Sequence, residues 1–115
     1  MSSRPWIERL RDILDAIEEI QDFTKGMTFE AFELDRKTIK AIELNFIIIG
    51  EAANNVPEDI RNQFDNVPWH LMRGMRNQLV HAYFSIEPRI IWDTIQDDLP
   101  SLIKPLSIML SSEKD

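Results

Sequence analysis

The chain contains no cysteine and only three glycines among its 115 residues. Without cysteine it can form neither a disulfide scaffold nor a metal site with thiolate ligands. Its longest apolar run, from Phe46 to Ile49, is far shorter than the roughly 18 residues that a membrane span requires. The N-terminal residues are not followed by the apolar core of a signal peptide. We therefore predict a single-domain, soluble, cytoplasmic protein that needs no cofactor.

Basic residues are also in short supply, with 13 against 20 acidic residues and a formal net charge of −7. Broad nucleic-acid binding depends on the neutralisation of phosphates, so this balance argues against an extended basic groove. The charges are unevenly distributed, however. Residues 66–86 contain no acidic residue but include Arg73 and Arg76. This window could accept a phosphate group.

The spacing of apolar residues predicts an all-α fold. Segment 5–25 carries apolar residues at successive spacings of 4, 3, 4 and 3, which is typical of an amphipathic helix. These residues are Trp6, Leu10, Ile13, Ile17 and Ile20. Segment 35–55 carries two apolar stripes, so this helix should occupy the centre of the bundle. In that helix, Gly50 would allow a neighbouring helix to approach closely.

Further helices are predicted at 57–63 and at 68–83. A last helical stretch, capped by Ser85, should run towards the C-terminus. In the last of these, Pro100 and Pro105 should kink or split the helix. The sequence thus predicts an antiparallel bundle of about four main helices plus short ones. A single domain should span residues 1–110, and residues 111–115 should form a polar tail.

The chemically interesting residues lie in the helix predicted at 68–83. At 100° per residue, Arg76 and Tyr83 lie to one side of its buried face and His81 lies to the other, about 140° from Arg76. A ligand that touches both Arg76 and His81 must therefore lie across the helix or meet a second copy of it. Asn77 precedes His81 by four residues and could hold the imidazole in one tautomer.

The string from Arg76 to Tyr83, RNQLVHAY, resembles the Arg-x4-His-x-Tyr signature of HepT-like toxins. These proteins belong to the HEPN superfamily of small helical ribonuclease-like domains. The resemblance extends from about Ile7 to Leu110. Further matching features occur in order along the chain: Gly50-Glu51-Ala52, Pro68-Trp69, Gly74-Met75, Trp92 and Asp98-Leu99-Pro100.

The resemblance implies a specific function. HepT-like proteins are the toxins of type VII-like toxin–antitoxin pairs, in which the partner is a minimal nucleotidyltransferase antitoxin. They are similar to metal-independent endoribonucleases that act on RNA as homodimers, with two motifs lining one cleft. In the family the antitoxin can transfer AMP to the motif tyrosine, here Tyr83, and so silence the toxin.

The residues themselves are compatible with that chemistry. RNA carries its own nucleophile, the 2′-hydroxyl, so cleavage needs a proton acceptor and donor, for which His81 is suited. Arg76 supplies a permanent positive charge for the phosphate. Asn77 and Tyr83 would support these two residues. Two further residues are candidates for substrate contact: Glu51, which could instead pair with an arginine, and Arg73.

Other functions are open at the level of the sequence. A shared metal site is disfavoured, because His70 and His81 lie about 16 Å apart along one helix. No HExxH motif and no glycine-rich phosphate loop is present. The first alternative is a non-catalytic HEPN-type dimer that binds a nucleotidyltransferase partner or a nucleotide. The second is a helical interaction protein in which the motif match is accidental.

Overall fold

The computed structural model describes residues 5–112, and this part of the chain is helical almost throughout. Its seven α-helices are α1 (Pro5–Thr24), α2 (Phe29–Leu34), α3 (Arg36–Asn54), α4 (Glu58–Gln63), α5 (Trp69–Ala82), α6 (Pro88–Asp93) and α7 (Leu99–Ser112). A 3-10 turn at Tyr83–Ser85 follows α5, and a π-helical turn at Thr94–Asp98 joins α6 to α7. The four long helices, α1, α3, α5 and α7, confirm the predicted all-α bundle.

Helix α3 lies at the centre of the bundle, as predicted, but Leu44 and Ile48 of its second apolar stripe are exposed rather than buried. It packs against α1 on one side and α5 on the other, while α1 also contacts α7. The buried side chain of Asn45 donates a hydrogen bond to Glu19 across the α1–α3 contact, at 3.0 Å. This bond satisfies a polar group that would otherwise be costly to bury.

The predicted apolar stripe of α1 is buried in full and forms one core with residues of the other long helices. Trp69 belongs to the same core, and its indole N–H donates to the carbonyl oxygen of Phe64 at 3.1 Å. The core extends along α7 through Leu102 and Leu106. Burial of an aliphatic side chain of this size contributes about 1.5–3 kcal/mol to stability.

Side-chain caps fix the beginnings of α2 and α3. Thr28 accepts a hydrogen bond from the backbone N–H of Ala31 at 3.1 Å. The Asp35 carboxylate accepts bonds from the backbone N–H and the hydroxyl of Thr38, at 3.0 and 2.7 Å. These bonds, the backbone one foremost, lower the pKa of Asp35. Caps of this kind satisfy N–H groups that have no partner within the helix.

Of the predicted kink or split at Pro105, the split does not occur, because α7 continues through this residue to Ser112. The irregularity lies earlier, in the π turn, where the N–H of Leu99 donates to the carbonyl of Thr94. Such a turn changes the hydrogen-bond pattern next to Pro100, which has no N–H to donate. Burial of Leu102 and Leu106 on either side of Pro105 helps to offset the missing hydrogen bond.

Two other predicted boundaries also need correction. Ser85 does not cap the last helical stretch, since its hydroxyl donates back to the carbonyl of Ala82 at 3.1 Å. Instead α6 begins at Pro88, whose fixed backbone angle suits a first helical turn. Residues 111–112 are the end of α7 rather than a tail. The rest of the predicted tail, 113–115, and the N-terminal residues 1–4 lie outside the described residues.

None of the helices within residues 5–112 combines the length and the apolar character needed to cross a bilayer.

Candidate active site

The candidate site is built on the contact between α3 and α5. Gly50 makes this contact possible, because a Cβ atom at this position would overlap the Cβ of Arg76. The same atom would lie 3.0 Å from the carbonyl oxygen of Met72 and 3.2 Å from the Cα of Arg76. The close approach that Gly50 was expected to allow is therefore confirmed. It fixes the position of the Arg76 side chain relative to α3.

Arg76 is held by two neighbours. Its Nε donates to Glu51 Oε1 at 3.0 Å, and its Nη1 donates to Asn77 Oδ1 at 3.1 Å. Of the five N–H groups of a guanidinium, three have no partner within residues 5–112. The side chain of Arg76 is 31% exposed, so those groups can reach a ligand. The predicted pairing of Glu51 with an arginine is thereby confirmed.

His81 follows five residues later on the same uninterrupted helix and is exposed. Both positions obey α-helical geometry, so their side chains leave the axis about 140° apart. The oxygen of Asn77 is engaged by Arg76 rather than by the imidazole of His81. One copy of the chain therefore offers a guanidinium on one side of α5 and an imidazole on the other.

Tyr83 lies just beyond the end of α5, where the backbone changes from α-helix to the 3-10 turn. Its ring packs edge-to-face on Phe84, with ring centres 5.3 Å apart. Its side chain lies beside Glu43 of α3, and both residues line the same cleft. Because Glu43 contacts Tyr83 and Glu51 contacts Arg76, α3 and α5 run antiparallel, as the bundle prediction requires.

Tyr83 and Glu43 line a surface cleft of about 310 Å³ together with Arg36, Lys40 and Phe84. Burial raises the pKa of Glu43, while the charge of Lys40, the nearby hydroxyl of Tyr83 and the charge of Arg36 act in the opposite direction. The three charged residues of α3 were not predicted as site residues. Their spacing of four and three places them on one side of a helix, but only the fold brings that side to Tyr83.

Arg73, one turn before Arg76, is exposed and borders a different cleft. There it faces α4, with Arg61 and Asp65 nearby. The fold thus brings Arg76, Asn77 and Glu51 together, and leaves Arg73 and Tyr83 to neighbouring clefts. Within residues 5–112, no group of three or more histidine, aspartate or glutamate side chains could hold a metal ion.

The all-helical fold and the placement of Arg76 and His81 on one helix agree with the small helical domain that the motif resemblance implies. The family described as "Ribonuclease HepT-like" matches residues 13–109. The chain therefore belongs to the HepT-like ribonuclease family, and the resemblance found in the motif is confirmed.

Several proteins are similar to this chain over most of their length. One from Thermococcus cleftensis, named "Probable ribonuclease HepT", is 44% identical over 81% of this chain and 84% of its own. A "Putative RNase" of Methanocaldococcus jannaschii is 44% identical over 84% and 80%. Another of that description, from Caldanaerobacter subterraneus subsp. tengcongensis, is 39% identical over 96% of both chains. No solved structure matches the chain.

Proposed function

We propose that this protein is a metal-independent endoribonuclease and the toxin of a toxin–antitoxin pair. The observation that carries the proposal is the pair of hydrogen bonds that orients Arg76, five residues before an exposed His81 on one helix. A guanidinium fixed through Nε and Nη1 keeps its remaining N–H groups available for phosphate oxygens. The family membership and the names of the relatives support RNA as the substrate.

The proposed reaction uses the 2′-hydroxyl of RNA as the nucleophile. His81 accepts the hydroxyl proton while the 2′-oxygen forms a bond to phosphorus. The bond between phosphorus and the 5′-oxygen breaks, and the leaving oxygen takes a proton from an imidazolium. Arg76 stabilises the negative charge that grows on the phosphoryl oxygens. The products are a 2′,3′-cyclic phosphate and a free 5′-hydroxyl.

We further propose that the active form is a homodimer, in which Arg76 of one copy and His81 of the other share a cleft. The angle of about 140° between them prevents one copy from placing both on a small phosphate. Three exposed apolar side chains support a contact there, because their spacing from Glu51 or Arg76 by three, four or seven residues places them on the same side of these helices. We call them the apolar dimer face: Leu44 and Ile48 of α3, and Val80 of α5.

The activity is tested with the purified chain and single-stranded RNA in the presence of a metal chelator. We expect cleavage that leaves cyclic phosphate ends. His81→Ala should lower the rate by about 10²–10⁴-fold, as loss of general acid–base catalysis does. Arg76→Ala should lower it by about 10²–10³-fold. His70→Ala, which removes another exposed histidine of the same helix, should have no effect.

Cleavage by a folded His81→Ala variant at the native rate would refute this mechanism. A requirement for added divalent metal would refute metal independence alone.

The proposed regulation is transfer of AMP to Tyr83 by a nucleotidyltransferase antitoxin. Tyr83 is well exposed, so its hydroxyl can be approached, and a bulky phosphate at this position would compete for nearby cations. The test is co-expression with the nucleotidyltransferase, followed by mass spectrometry. We expect one AMP unit on Tyr83 and loss of cleavage, while Tyr83→Phe stays unmodified. Modification at another residue would contradict this part of the proposal.

The net charge of −7 favours a second candidate, a non-catalytic dimer that binds the nucleotidyltransferase or a nucleotide. An acidic protein gains little general affinity for RNA. The two candidates differ in one measurement, since the second predicts a tight complex with the partner and no cleavage of any RNA by the native chain.

A further inference from the structure

The cleft beside Tyr83 contains features of a nucleotide site that the cleavage chemistry does not use. It lies between the N-terminal half of α3 and the turn after α5, and its volume of about 310 Å³ is at the lower end of the range for ligand sites. Its walls combine cationic side chains from α3 with aromatic rings from the turn. Nucleotides present phosphates and flat bases, for which these two kinds of side chain are suited.

Phe84 is the most unusual residue of the cleft, because its side chain is 100% exposed. Tyr83 packs edge-to-face against it, with the two ring planes 81° apart. Because Phe84 is fully exposed, at least one face of its ring is open to another flat group. Proteins that bind single-stranded RNA commonly stack bases on exposed aromatic side chains.

Arg36 and Lys40 lie one helical turn apart on α3, and both line the cleft. Both side chains are exposed, so neither is committed to the protein core. A pair of cations at this spacing can follow the phosphates of a strand. Glu33 and Glu43 also border the cleft, and their carboxylates would oppose a phosphate there.

The cleft is within reach of the proposed cleavage site. Tyr83 lies beside Glu43 and Arg76 pairs with Glu51, and these two residues of α3 are about 12 Å apart along the helix. An RNA strand of a few nucleotides covers that distance. A strand with its scissile phosphate on Arg76 can therefore extend into the cleft.

We propose that this cleft binds a nucleotide of single-stranded RNA next to the scissile phosphate, with a phosphate on Arg36 and Lys40 and a base stacked on Phe84. The proposal rests on the proposed ribonuclease function and names where the substrate continues beyond Arg76. It makes Arg36, Lys40 and Phe84 substrate-binding residues that take no part in proton transfer.

The test measures RNA binding without cleavage, in a His81→Ala background. A fluorescently labelled single-stranded RNA is titrated at several salt concentrations. Arg36→Ala and Lys40→Ala should each weaken binding and flatten the plot of log affinity against log salt by about 0.7 per phosphate contact. Phe84→Ala should weaken binding at least about 5-fold, as loss of one stacked base does, and should leave the salt slope unchanged.

Two further variants complete the test: one should strengthen RNA binding, and the other is a control. Glu43→Gln removes a negative charge from the cleft and should strengthen RNA binding. Lys37→Ala removes the same charge from the same helix, but Lys37 does not line the cleft. It should change the affinity by less than about 2-fold and is the matched control for Lys40→Ala.

The possible failures are distinguishable. If the native chain cleaves RNA but the cleft variants behave like Lys37→Ala, the cleft assignment is wrong and the ribonuclease function stands. If Phe84→Ala separates a dimer into monomers, Phe84 belongs to an interface and the assignment is also wrong. If the native chain neither binds nor cleaves RNA, the proposed function itself fails, and the cleft assignment fails with it.

Discussion

Gly50 of α3 and Arg76 of α5 lie so close together that no side chain fits between the two helices at Gly50. A methyl group at Gly50 would overlap the Cβ of Arg76. Arg76, the proposed phosphate-binding residue, is thus placed by the absence of a side chain on the neighbouring helix. Stability and activity should respond together when this contact is altered.

We expect Gly50→Ala to lower the free energy of unfolding by about 1–3 kcal/mol, the usual cost of overpacking. The displaced Arg76 should also lower kcat/KM for RNA cleavage by about 10- to 100-fold. Urea denaturation and cleavage assays measure the two effects. The matched control is Gly74→Ala in α5, where an added Cβ meets nothing within 4 Å.

Gly74→Ala should raise stability by about 0.5–1 kcal/mol, because alanine is the better helix former. Equal effects of the two substitutions would show that helix propensity, rather than the α3–α5 contact, determines the result.

Glu51 should act as a positioning residue for Arg76. We expect Glu51→Ala to lower kcat about 10-fold with little change in KM, because Arg76 loses the acceptor for its Nε–H. Glu51→Gln should recover most of the rate, since an amide oxygen also accepts that hydrogen bond. Stability should change by less than about 1 kcal/mol in both variants, as this pair is partly exposed to solvent. Equal loss in both variants would instead indicate that the negative charge itself is needed.

The apolar dimer face gives a prediction about assembly. Leu44→Asp places a charge on this face, where desolvation on contact would be costly, and should convert a dimer into monomers and abolish cleavage. Light scattering after size-exclusion chromatography reports the mass. Ile108→Asp on α7 is the matched control, because Ile108 is 54% exposed and Leu44 is 59% exposed. A monomeric native protein that cleaves RNA would contradict the prediction.

Glu43 predicts a pH dependence of stability. Burial raises the pKa of Glu43 in the folded chain. A raised carboxyl pKa gives stability that is present at low pH and lost as the pH rises through the folded value. Glu43→Gln should therefore gain more stability over the native chain at pH 7 than at pH 4. Urea midpoints at both pH values measure this, with Glu18→Gln on the exposed face of α1 as a control for net charge.

Much of the fold follows from the sequence because apolar periodicity is a local property. The spacing in segment 5–25 and the two stripes of segment 35–55 are sufficient to predict α1 and a central α3. The contact at Gly50 and the pairing of Glu51 with an arginine could also be predicted from the sequence. A small residue in a central helix indicates a closely packed neighbouring helix, and a lone acid in an apolar helix indicates a basic partner.

The cleft at Tyr83, by contrast, could not be predicted from the sequence. Arg36, Lys40 and Glu43 are ordinary surface residues of α3 until the antiparallel packing of α5 brings Tyr83 against them. That contact spans 40 residues of sequence, and its register depends on how α3 and α5 pack. The site around Arg76 could be predicted from a motif, whereas its surroundings required the fold.

The π turn at Thr94–Asp98 has a consequence for how such chains can vary in length. It accommodates one residue more than an α-helical turn, while Ile95 within it and Leu99 directly after it are both buried. A one-codon deletion there would restore a regular turn and leave both flanking helices in phase. The same deletion between Arg76 and His81 would rotate one against the other by about 100°. Descendants of this gene can therefore shorten near residue 96 far more readily than inside α5.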